Sequence, residues 1–429
     1  MSYQKIFSGF VFICSGVIFF CCSPKKNLSI ELRFWVMGAE GEFVQQLMPR
    51  FEAEHSDLKV KIQMIPWTAA QEKLITAYAS NNLPDLFQLG NTWIPQFAAL
   101  QAIEDLNFWV RNSTSIRPDF YFRGIWNTNC IDSSLYGIPW YIDTRVLFYR
   151  RDVLARAGFP IPPRTWDELY EVSRRIKKNA GNTDKYAIYL PTNEWAPFVI
   201  FALQAGSHLL KNDDCFADFT SPEFKKAFSF LIRFHQEKLA PLGISQVTNV
   251  YQAFADEYFV MYISGPWNIT EFKKYMKGNL ADKWMTAPLP GLDQNTPGVS
   301  LAGGSSLVLN SKGKYKSAAW KLIEYLSRTE TQVSFYHLVY DLPARREAWL
   351  DPSIKDDPYM RAFYEQFQHV VVTPKITEWE QIAFSKLQQY AELAARGAMP
   401  IDEALNSLNK DVDKILEKRR WLRGKIKRE

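Results

Sequence analysis

Tryptophan is the residue type whose placement in this chain most clearly suggests a chemical use. The chain has 14 Trp, 20 Tyr and 30 Phe, which together make 15% of its residues. Most of these rings must fill the core, yet several Trp stand beside Gly, Pro, Asn or charged residues rather than in apolar stripes: Trp67, Trp93, Trp140, Trp195, Trp267 and Trp379. Such positions suit half-exposed rings that line a groove. The placement therefore predicts a surface for stacking.

Patterns typical of catalysis or metal binding do not occur in the sequence. The acidic pairs Asp213-Asp214, Asp256-Glu257 and Asp356-Asp357 stand in polar, loop-like stretches and look solvated rather than opposed across a cleft. The five His are scattered without metal-ligand spacing, and no phosphate-binding Gly-rich loop or nucleophile elbow is found. The residues favour a binding protein with no cofactor and no metal over an enzyme.

The N-terminal residues have the layout of an export signal. Lys5 precedes an apolar or small-residue run from Ile6 to Cys22, and Ser23–Lys26 then turns polar. The run is short for a spanning helix, which needs about 20 residues. Cys21 and Cys22 stand where a bacterial lipoprotein signal carries its lipidated cysteine, and the smaller preceding residue favours Cys22. An uncleaved N-terminal anchor is the alternative. Either way we expect an exported chain that is tethered to the bacterial cell membrane.

Composition and charge limit the class of protein further. With 47% hydrophobic and 23% charged residues, the chain is expected to form packed domains, and its length after the signal suffices for two. The net charge is +5, but residues 418–429 carry seven basic side chains against Glu429. The rest is therefore close to neutral, which excludes a nucleic-acid-binding surface. Cys130 and Cys215 are expected to be unpaired and buried, although an exported compartment would allow them to pair.

The first part of the mature chain alternates strands with helices. Strand-like alternation and helical spacing follow one another at Leu28–Phe34, Phe43–Phe51, Val60–Met64, Leu74–Tyr78 and Asp85–Leu89. This order predicts a parallel sheet with helices on both faces, and the ligand crevice of such a sheet lies outside the carboxyl ends of its strands. The expected crevice loops are residues 37–42, 66–70 and 90–95.

A second unit of the same kind begins after Asp143. Thr165 and Glu168 form a capping box that starts a helix, and Ser221-Pro222 starts another. Breaks at 288–291 and at Gly303-Gly304 resemble a linker that crosses between units.

A series of different short motifs follows in order along nearly the whole mature chain. They are Leu147–Leu154, Ala157-Gly158, Pro163–Leu169, Ser264–Trp267, Gly303–Leu307, Ala319–Ile323, Leu342–Arg345, Gly397 and Asp402–Leu405. In this order and spacing the chain resembles the extracellular solute-binding proteins of carbohydrate-type ABC importers, the group that includes maltose-binding protein. Each motif alone is weak, and together they are specific for the family rather than for a substrate.

The resemblance implies an α/β fold of two lobes, each a mostly parallel sheet flanked by helices, joined by hinge strands. Carried onto this sequence, the N-terminal lobe comprises residues 29–143 and 301–343 and the C-terminal lobe comprises residues 144–300 and 344–429, after a signal at 1–22. The implied function is capture of a sugar or oligosaccharide between the lobes by hinge closure. A monomeric, lipid-anchored protein would then deliver it to the permease subunits of an ABC transporter.

The resemblance also implies which residues touch the sugar. Trp267 in the Gly265-Pro266-Trp267 turn is expected to stack on a sugar ring, and Trp195 is expected to be a second stacking ring. Asp143 would reach the ligand across the hinge, and Glu40 would contact it from the first strand-end loop. Each has a structural alternative: packing for the two rings, a salt bridge with Arg145 for Asp143, and stabilisation of a helix N-terminus for Glu40.

Further contacts follow from the same resemblance and from the predicted loops. Trp67, Asn91 and Trp93 stand in the second and third strand-end loops. Gly303 and Gly304 would let the backbone approach the sugar closely, or simply form a turn. Arg345 belongs to a stretch that the family uses at its site, but a surface arginine would look the same in sequence; Trp379 stands in a stacking region whose register the spacing does not fix.

Other functions remain open at this point. The same importer role could serve a polyamine or another polar solute, although the candidate loops contain more Trp and Asn than acids. An exported carbohydrate-active enzyme or an adhesive surface lipoprotein is also conceivable, but the first would need opposed carboxylates and the second would not need hinge crossings.

Overall fold

The computed structural model describes residues 29–426, except for residues 39, 182 and 243–246. The export signal, with Cys21 and Cys22, therefore lies outside the described residues. Within the described part, no helix is both long enough and apolar enough to cross a membrane. Cys130 and Cys215 both carry free thiols, but Cys130 is only half-buried.

The strands of the described residues form two main sheets and three short pairs. They are β1 (Ile30–Met37), β2 (Leu58–Ile65), β3 (Leu86–Gly90), β4 (Cys130–Ile131), β5 (Ser134–Leu135), β6 (Ile138–Asp143), β7 (Val146–Arg150), β8 (Ile188–Tyr189), β9 (Leu210–Lys211), β10 (Phe216–Ala217), β11 (Met261–Ser264), β12 (Trp284–Ala287), β13 (Ser300–Leu301), β14 (Gly303–Leu309), β15 (Leu342–Pro343) and β16 (Val370–Val371).

Helices cover both main sheets. They are α1 (Glu40–Val44), α2 (Met48–Glu54), α3 (Trp67–Ala79), α4 (Ile94–Ala99), α5 (Asn107–Arg111), α6 (Arg123–Asn127), α7 (Arg151–Arg156), α8 (Trp166–Ala180), α9 (Ala196–Gln204), α10 (Pro222–Gln236), α11 (Val250–Ala255), α12 (Ile269–Tyr275), α13 (Lys316–Leu326), α14 (Thr329–Val339), α15 (Pro352–Lys355), α16 (Met360–Gln366), α17 (Gln388–Ala395), α18 (Ile401–Ile415) and α19 (Glu417–Ile426). A π-helical segment, Gln381–Leu387, leads into α17.

The first sheet has six strands in the order β15-β6-β14-β3-β1-β2. Strands β1, β2 and β3 are parallel, as the sequence predicts, whereas β14 pairs antiparallel with both β3 and β6. The side chains of β1 alternate between two cores, because Leu32, Phe34 and Val36 face one side while Trp35 and Met37 face the other.

The second sheet has four strands in the order β12-β7-β11-β8. Only β8 and β11 pair in parallel, and β7 is antiparallel to both of its neighbours. The expectation of mostly parallel sheets is therefore wrong for this unit, and the first sheet has two parallel pairings against three antiparallel ones. In both sheets the antiparallel pairs involve strands that enter from a crossing, so the sequence-local strand–helix–strand pattern could not reveal their direction.

The chain passes from one sheet to the other at two places, and after β15 it leaves the first sheet for helices α17 and α18, which share the core of the second sheet. Strand β6 ends at Asp143 in the first sheet and β7 begins at Val146 in the second; β12 is in the second sheet and β14 in the first; β15 is the last strand of the first sheet. Between them, β13 pairs in parallel with β16. The division into residues 29–143 with 301–343 and residues 144–300 with 344–429 remains a prediction.

Helix packing distinguishes the two units. Helices α8, α9, α10, α17 and α18 share one core with Leu147 and Met261 of the second sheet. One half of the capping box is formed as expected, because the Thr165 hydroxyl accepts a bond from the backbone N–H of Glu168. The Glu168 carboxylate instead accepts from the backbone N–H of Arg164, one residue before the N-cap. We call the unit built on the first sheet the first lobe and the unit built on the second sheet the second lobe.

Candidate functional site

A cavity of about 520 Å³ lies between the lobes. The first lobe lines it with residues that follow the carboxyl ends of three parallel strands: Glu40 after β1, Trp67 after β2, and Asn91 to Trp93 after β3. These are the loops in which the sequence places the crevice. The volume falls within the range of about 300–1,000 Å³ that is usual for small-molecule sites.

Glu40 is held by hydrogen bonds to two aromatic side chains. Its Oε1 atom accepts a bond of 2.7 Å from the Tyr141 hydroxyl and one of 3.3 Å from Trp67 Nε1. The tight approach of Trp67 depends on Gly38, which has a φ of +59° and whose added Cβ would lie 2.6 Å from Glu40 and 2.7 Å from Trp67. Gly38 is therefore required for this geometry.

A buried amide extends this network under the floor of the cavity. Gln88 Nε2 donates to the Tyr141 hydroxyl at 2.9 Å and to Ser305 Oγ at 3.2 Å, and Gln88 Oε1 accepts a bond of 2.7 Å from the Met37 backbone N–H. Every member of this chain has a defined donor or acceptor role, so the Glu40 carboxylate is fixed before any ligand arrives.

Aromatic rings supply the apolar walls. Trp67 is 38% exposed and meets Trp93 edge-on at 5.8 Å, while Trp267 of the second lobe is 47% exposed. The Arg145 guanidinium lies 4.7 Å from the Trp267 ring centre and covers one of its faces. Phe384, on the π-helical segment, is 52% exposed and also lines the cavity.

Trp195 is positioned differently from Trp267. Although it lines the cavity, it is only 6% exposed, and it packs against Phe384 at 5.5 Å and edge-on against Trp379 at 5.9 Å. Trp379 and Trp140 are both 1% exposed. The prediction of half-exposed rings is therefore wrong for Trp140, Trp195 and Trp379, because flanking polar residues do not report what covers a ring from elsewhere in the chain.

Three buried polar atoms of the cavity lining, two from carboxylates and one from an amide, have no hydrogen-bond partner within the protein. Asp341 Oδ2, Glu380 Oε1 and Asn91 Nδ2 are buried in the cavity lining with no hydrogen-bond partner. The Asn91 side chain is itself held in place, since its Oδ1 accepts a bond of 2.9 Å from Ser306. Buried polar atoms are almost always satisfied in native proteins, so these three are the atoms expected to bind a polar ligand.

Burial and mutual repulsion alter how the acids titrate. Burial raises the pKa of Asp341 well above its usual value, and the nearby Glu40 and Asp143 carboxylates raise it further. Burial also raises the pKa of Glu380, although hydrogen bonding from Thr92 and Trp93 acts the other way. A hydroxyl or cationic group of a ligand would stabilise the ionised form of each acid.

Asp143 forms a salt bridge with Arg145, which the sequence analysis gives as the alternative to a ligand contact. Arg145 Nη1 donates to Asp143 Oδ1 at 2.8 Å, and Arg145 Nη2 lies 4.0 Å from Glu194. Burial still raises the pKa of Asp143, since desolvation and Glu194 oppose the effect of Arg145. Because both partners line the cavity, the salt bridge and a ligand contact are compatible.

The structure brings together nine of the ten residues expected at the sugar site. These are Glu40, Trp67, Asn91, Trp93, Asp143, Trp195, Trp267, Gly303 and Gly304. The glycines pair with Asp143 and Ile142 across β14 and β6, and a Cβ at Gly303 would come within 2.2 Å of the Asp143 carboxylate.

Arg345 does not line the cavity. It is 8% exposed and packs against the first lobe, although it lies just beyond the predicted boundary at residue 343: its Nη1 donates to the backbone carbonyls of Ser115 at 2.8 Å and Ser327 at 3.1 Å. Its guanidinium also lies 4.4 Å from the Phe120 ring centre. These contacts make Arg345 part of the packing of its lobe, which contradicts the expected ligand contact.

Several lining residues were not singled out from the sequence. They are Thr92, Tyr141, Arg145, Ser305, Asp341, Thr373, Glu380 and Phe384. Asp341 precedes the Leu342–Arg345 motif by one residue and Glu380 follows Trp379, so both stood beside noted positions. No group of three or more possible metal ligands occurs within the described ranges.

Comparison with known proteins identifies the family. Residues 46–362 match the model of the bacterial extracellular solute-binding protein family. The diacetylchitobiose binding protein DasA of Streptomyces coelicolor is 26% identical, with 87% of each chain covered. The galactooligosaccharide-binding protein of Bacillus subtilis is 24% identical, with 89% of this chain and 91% of that protein covered.

A solved structure extends the likeness to three dimensions. The sugar-binding protein MalE from the phytopathogen Xanthomonas citri is 44% identical, superposes with a TM-score of 0.88, and is matched over 92% of this chain and 99% of its own. This similarity confirms the two-lobed α/β fold expected from the sequence, and the relatives named are binding proteins rather than enzymes. The chain thus belongs to the bacterial extracellular solute-binding proteins.

Proposed function

We propose that this protein is the substrate-binding component of an ABC importer and captures a sugar or oligosaccharide between its lobes. The observation that carries the proposal is the composition of the interlobe cavity, in which exposed faces of Trp67, Trp267 and Phe384 surround buried polar atoms of Asn91, Asp341 and Glu380 that have no partner. The MalE neighbour at 44% identity supports the same class of ligand.

The chemistry of a sugar ring fits both kinds of wall. Its C–H faces are apolar and flat, so they pack on aromatic rings, while its hydroxyls at the rim donate hydrogen bonds. The Glu40 and Asp341 carboxylates would accept such bonds from the first lobe, and the Glu380 carboxylate from the second. Hydrogen bonds to ionised acceptors are roughly twice as strong as neutral ones.

Contacts to both lobes provide the mechanism of capture. Thr92 and Trp93 of the first lobe face Glu380 of the second, and Lys375 Nζ donates to the Cys130 carbonyl at 2.7 Å across the same cleft. A ligand that touches both walls binds the closed arrangement more tightly than the open one, so it shifts the population toward closure. The closed form would then dock on the permease.

The rest of the assembly is also part of the proposal. The protein would be a monomer, exported and held at the bacterial cell membrane by lipid on Cys22, or on Cys21, with no nucleic-acid partner. The hinge would consist of the three crossings, which separate residues 29–143 and 301–343 from residues 144–300 and 344–429. Delivery of the sugar to the transmembrane subunits follows from the family to which the chain belongs.

A polyamine is the second candidate ligand, because four carboxylates line the cavity against a single arginine: Glu40, Asp143, Asp341, Glu380 and Arg145. Ammonium groups would neutralise this excess of negative charge. The exposed aromatic faces favour the sugar, since they offer little to a flexible linear cation beyond cation–π contact.

Isothermal titration calorimetry on the chain from Lys25 onward tests the two candidates together. Mono- and oligosaccharides of gluco, galacto and chito type would be titrated alongside spermidine, and the solutions re-examined for cleavage products. Binding of an intact sugar with salt-independent affinity supports the proposal. Binding of spermidine alone, with affinity that falls as salt rises, would replace it by the second candidate.

A further inference from the structure

Two arginines fasten one side of α19 to the second lobe. Arg419 Nη1 donates to the Glu378 carboxylate at 3.4 Å. Arg420 donates to the backbone carbonyls of Cys215 at 3.0 Å and Asp413 at 2.7 Å. These contacts hold the helix in a defined orientation, so the side chains on its other side are presented to the solvent as a fixed surface.

Helices α18 and α19 form an almost continuous helix. The Leu416 N–H donates to the Val412 carbonyl, and the Arg420 N–H donates to the Leu416 carbonyl, both at 3.0 Å. Helical hydrogen bonding therefore passes through the single residue that separates the two helices. Since residues four apart in a helix share a face, one surface extends from α18 onto α19.

That surface is basic along most of its length and apolar at its end. Lys410, Lys414 and Lys418 are all exposed and follow one another at intervals of four residues. Trp421, which is 58% exposed, and Leu422, which is 45% exposed, follow one helical turn later. We call these residues the outer stripe. From Lys410 to Leu422 a helix rises about 18 Å.

The positive charge of the outer stripe is not neutralised by close partners. Within the part of the chain that the structure describes, its lysines form no ion pair. Glu417 is exposed beside them, but Lys425, Lys427 and Arg428 follow in the sequence. The rest of the chain is close to neutral, so the excess of positive charge is concentrated at this end of the second lobe.

The position of α19 connects this surface to the interlobe cleft. Besides the first cavity, which forms the proposed sugar site, the cleft contains a second cavity of about 680 Å³. Arg419 and Arg423 line it from α19, and Asp132 lines it from the first lobe. Helix α19 therefore lies at an edge of the cleft, and anything bound to its outer side lies beside the cleft as well.

We propose that the outer stripe binds the surface of a membrane that contains anionic phospholipids. Its lysines would lie among the phosphate headgroups, while Trp421 and Leu422 would enter the boundary between headgroups and acyl chains. Tryptophan suits this boundary because its ring is amphipathic. Like charges at even spacing along one side of a helix fit a fluid layer of repeated anionic groups, which needs no fixed complementary shape.

This surface would add a second attachment to the proposed lipid on Cys22. Stable anchoring by lipid commonly takes two signals, of which a basic patch can be one. Once the lipid holds the chain near the membrane, even a weak attraction suffices, because the effective concentration of the surface is high. The edge of the cleft would then be kept at the membrane. None of these steps depends on which ligand the cleft captures.

Sedimentation with vesicles tests the proposal on the chain from Lys25 onward, which lacks the proposed lipid. Vesicles of phosphatidylcholine would be compared with vesicles that also contain phosphatidylglycerol, an anionic phospholipid. We expect binding to the anionic vesicles only. The binding should weaken as salt rises, because the Debye length falls from about 10 Å at 0.1 M to about 3 Å at 1 M.

Charge and ring variants separate the two parts of the outer stripe. Lys414→Glu combined with Lys418→Glu should lower the partition coefficient at least about 25-fold, since each basic residue near an anionic surface contributes about fivefold. Trp421→Ala should weaken binding without changing its salt dependence, because the ring carries no charge. Lys178→Glu combined with Lys226→Glu is the matched control, since both lysines are exposed on helices of the second lobe and the change in net charge is the same.

A tethered form tests the same surface with an anchor present. A hexahistidine tag before Lys25 would hold the chain on a nickel-chelating lipid, and hydrogen exchange would compare vesicles with and without phosphatidylglycerol. Anionic lipid should protect the amides of residues 417–424, whereas the amides of residues 167–178 on α8 should exchange equally on both vesicles. Such protection supports the proposal even where the untethered chain binds too weakly to sediment.

Three results would overturn the proposal. One is equal binding to neutral and anionic vesicles. Another is a loss in the matched control as large as that in the Lys414 and Lys418 variant, since net charge rather than the outer stripe would then attract the chain. The third is the absence of lipid-dependent protection in the tethered form, which would leave the outer stripe to a protein partner such as the permease. Thermal denaturation of each variant checks that a loss does not come from misfolding, and sugar binding is measured separately.

Discussion

The two walls of the first cavity recognise a ligand by different means. The first-lobe wall, made of Glu40, Trp67, Asn91, Tyr141 and Asp341, is dominated by polar groups. Most of them are fixed by a buried network that runs through the central strands of a six-stranded sheet. Its atoms cannot move without breaking several hydrogen bonds at once.

The second-lobe wall, made of Trp195, Trp267, Glu380 and Phe384, consists mainly of rings. Trp267 sits on a short 3₁₀ turn and Phe384 on a π-helical segment, and both are about half exposed. Stacking on a flat face tolerates sliding and rotation better than a hydrogen bond does. The contrast suggests that the first lobe selects the arrangement of hydroxyls and that the second lobe supplies affinity when the hinge closes.

Removing the large, half-exposed ring of Trp267 should produce the largest loss of affinity. Trp267→Ala is expected to weaken sugar binding by about 2–3 kcal/mol, because a large aromatic anchor at the centre of a closed site is lost. It would also free Arg145, whose guanidinium now covers one face of the ring. Calorimetry measures the change, with Phe108→Ala as control, since Phe108 is 62% exposed outside the cavity. Unchanged affinity in Trp267→Ala would remove this ring from the site.

A change on the first-lobe wall should have a smaller effect on affinity and a larger one on selectivity. Glu40→Gln keeps the shape of the side chain but removes its charge, so we expect a loss of about 1–2 kcal/mol. The loss should differ between sugars that are epimers at one hydroxyl, whereas the loss in Trp267→Ala should not. Tyr141→Phe is the matched variant, because it removes the hydroxyl that donates a hydrogen bond to Glu40. If Glu40→Gln, like Trp267→Ala, lost the same affinity for every epimer, the first-lobe wall would not be the one that selects the arrangement of hydroxyls.

Asp341 offers a test of the first-lobe wall that needs no ligand. Its pKa is raised by burial and by Glu40 and Asp143, while in the unfolded chain an aspartate titrates near 3.9. The folded protein therefore holds this proton more tightly, and stability falls as pH rises from about 4 through the raised folded-state pKa. Asp341→Asn has no carboxyl group to titrate at this position, so it removes this loss of stability with rising pH.

The Asp341→Asn variant should thus melt at a higher temperature than the unchanged protein at pH 8, and the difference should disappear near pH 4. Its affinity for sugar should fall at the same time, because the unpaired Oδ2 would no longer accept a bond as a carboxylate. Thermal denaturation at both pH values measures the effect, with the exposed Asp119→Asn as control. A variant less stable at pH 8 would show that Asp341 is stabilised by a partner.

The sequence predicts part of the first-lobe wall for a direct physical reason. Glu40, Trp67 and Asn91 directly follow parallel strands, and the ends of such strands converge at one edge of the sheet. Glu380 and Phe384 lie far along the chain, on a segment brought to the cavity only by packing of Ile376, Trp379 and Ile382 in the second-lobe core. Tertiary contacts of this kind leave no periodic signal in the sequence.

Arg345 shows the opposite failure of prediction: it belongs to a family motif but lies away from the cavity. Its guanidinium satisfies the carbonyls of Ser115 and Ser327 instead of facing the ligand, and this links the C-terminal end of α13 to the loop before Arg117. A short motif fixes the backbone of the crossing, but the direction of a long side chain depends on which acceptors surround it.

Substitution of Arg345 should therefore separate stability from binding most clearly. Arg345→Ala removes the donor to the half-buried Ser115 carbonyl and to the buried Ser327 carbonyl, which is expected to cost about 2–4 kcal/mol in the free energy of unfolding. Affinity for sugar, measured well below the midpoint of unfolding, should change less than about twofold. Urea denaturation and calorimetry on the same preparation give both quantities. If instead affinity falls as it does in Glu40→Gln while stability is kept, Arg345 belongs to the polar wall after all, and that wall extends beyond the network described.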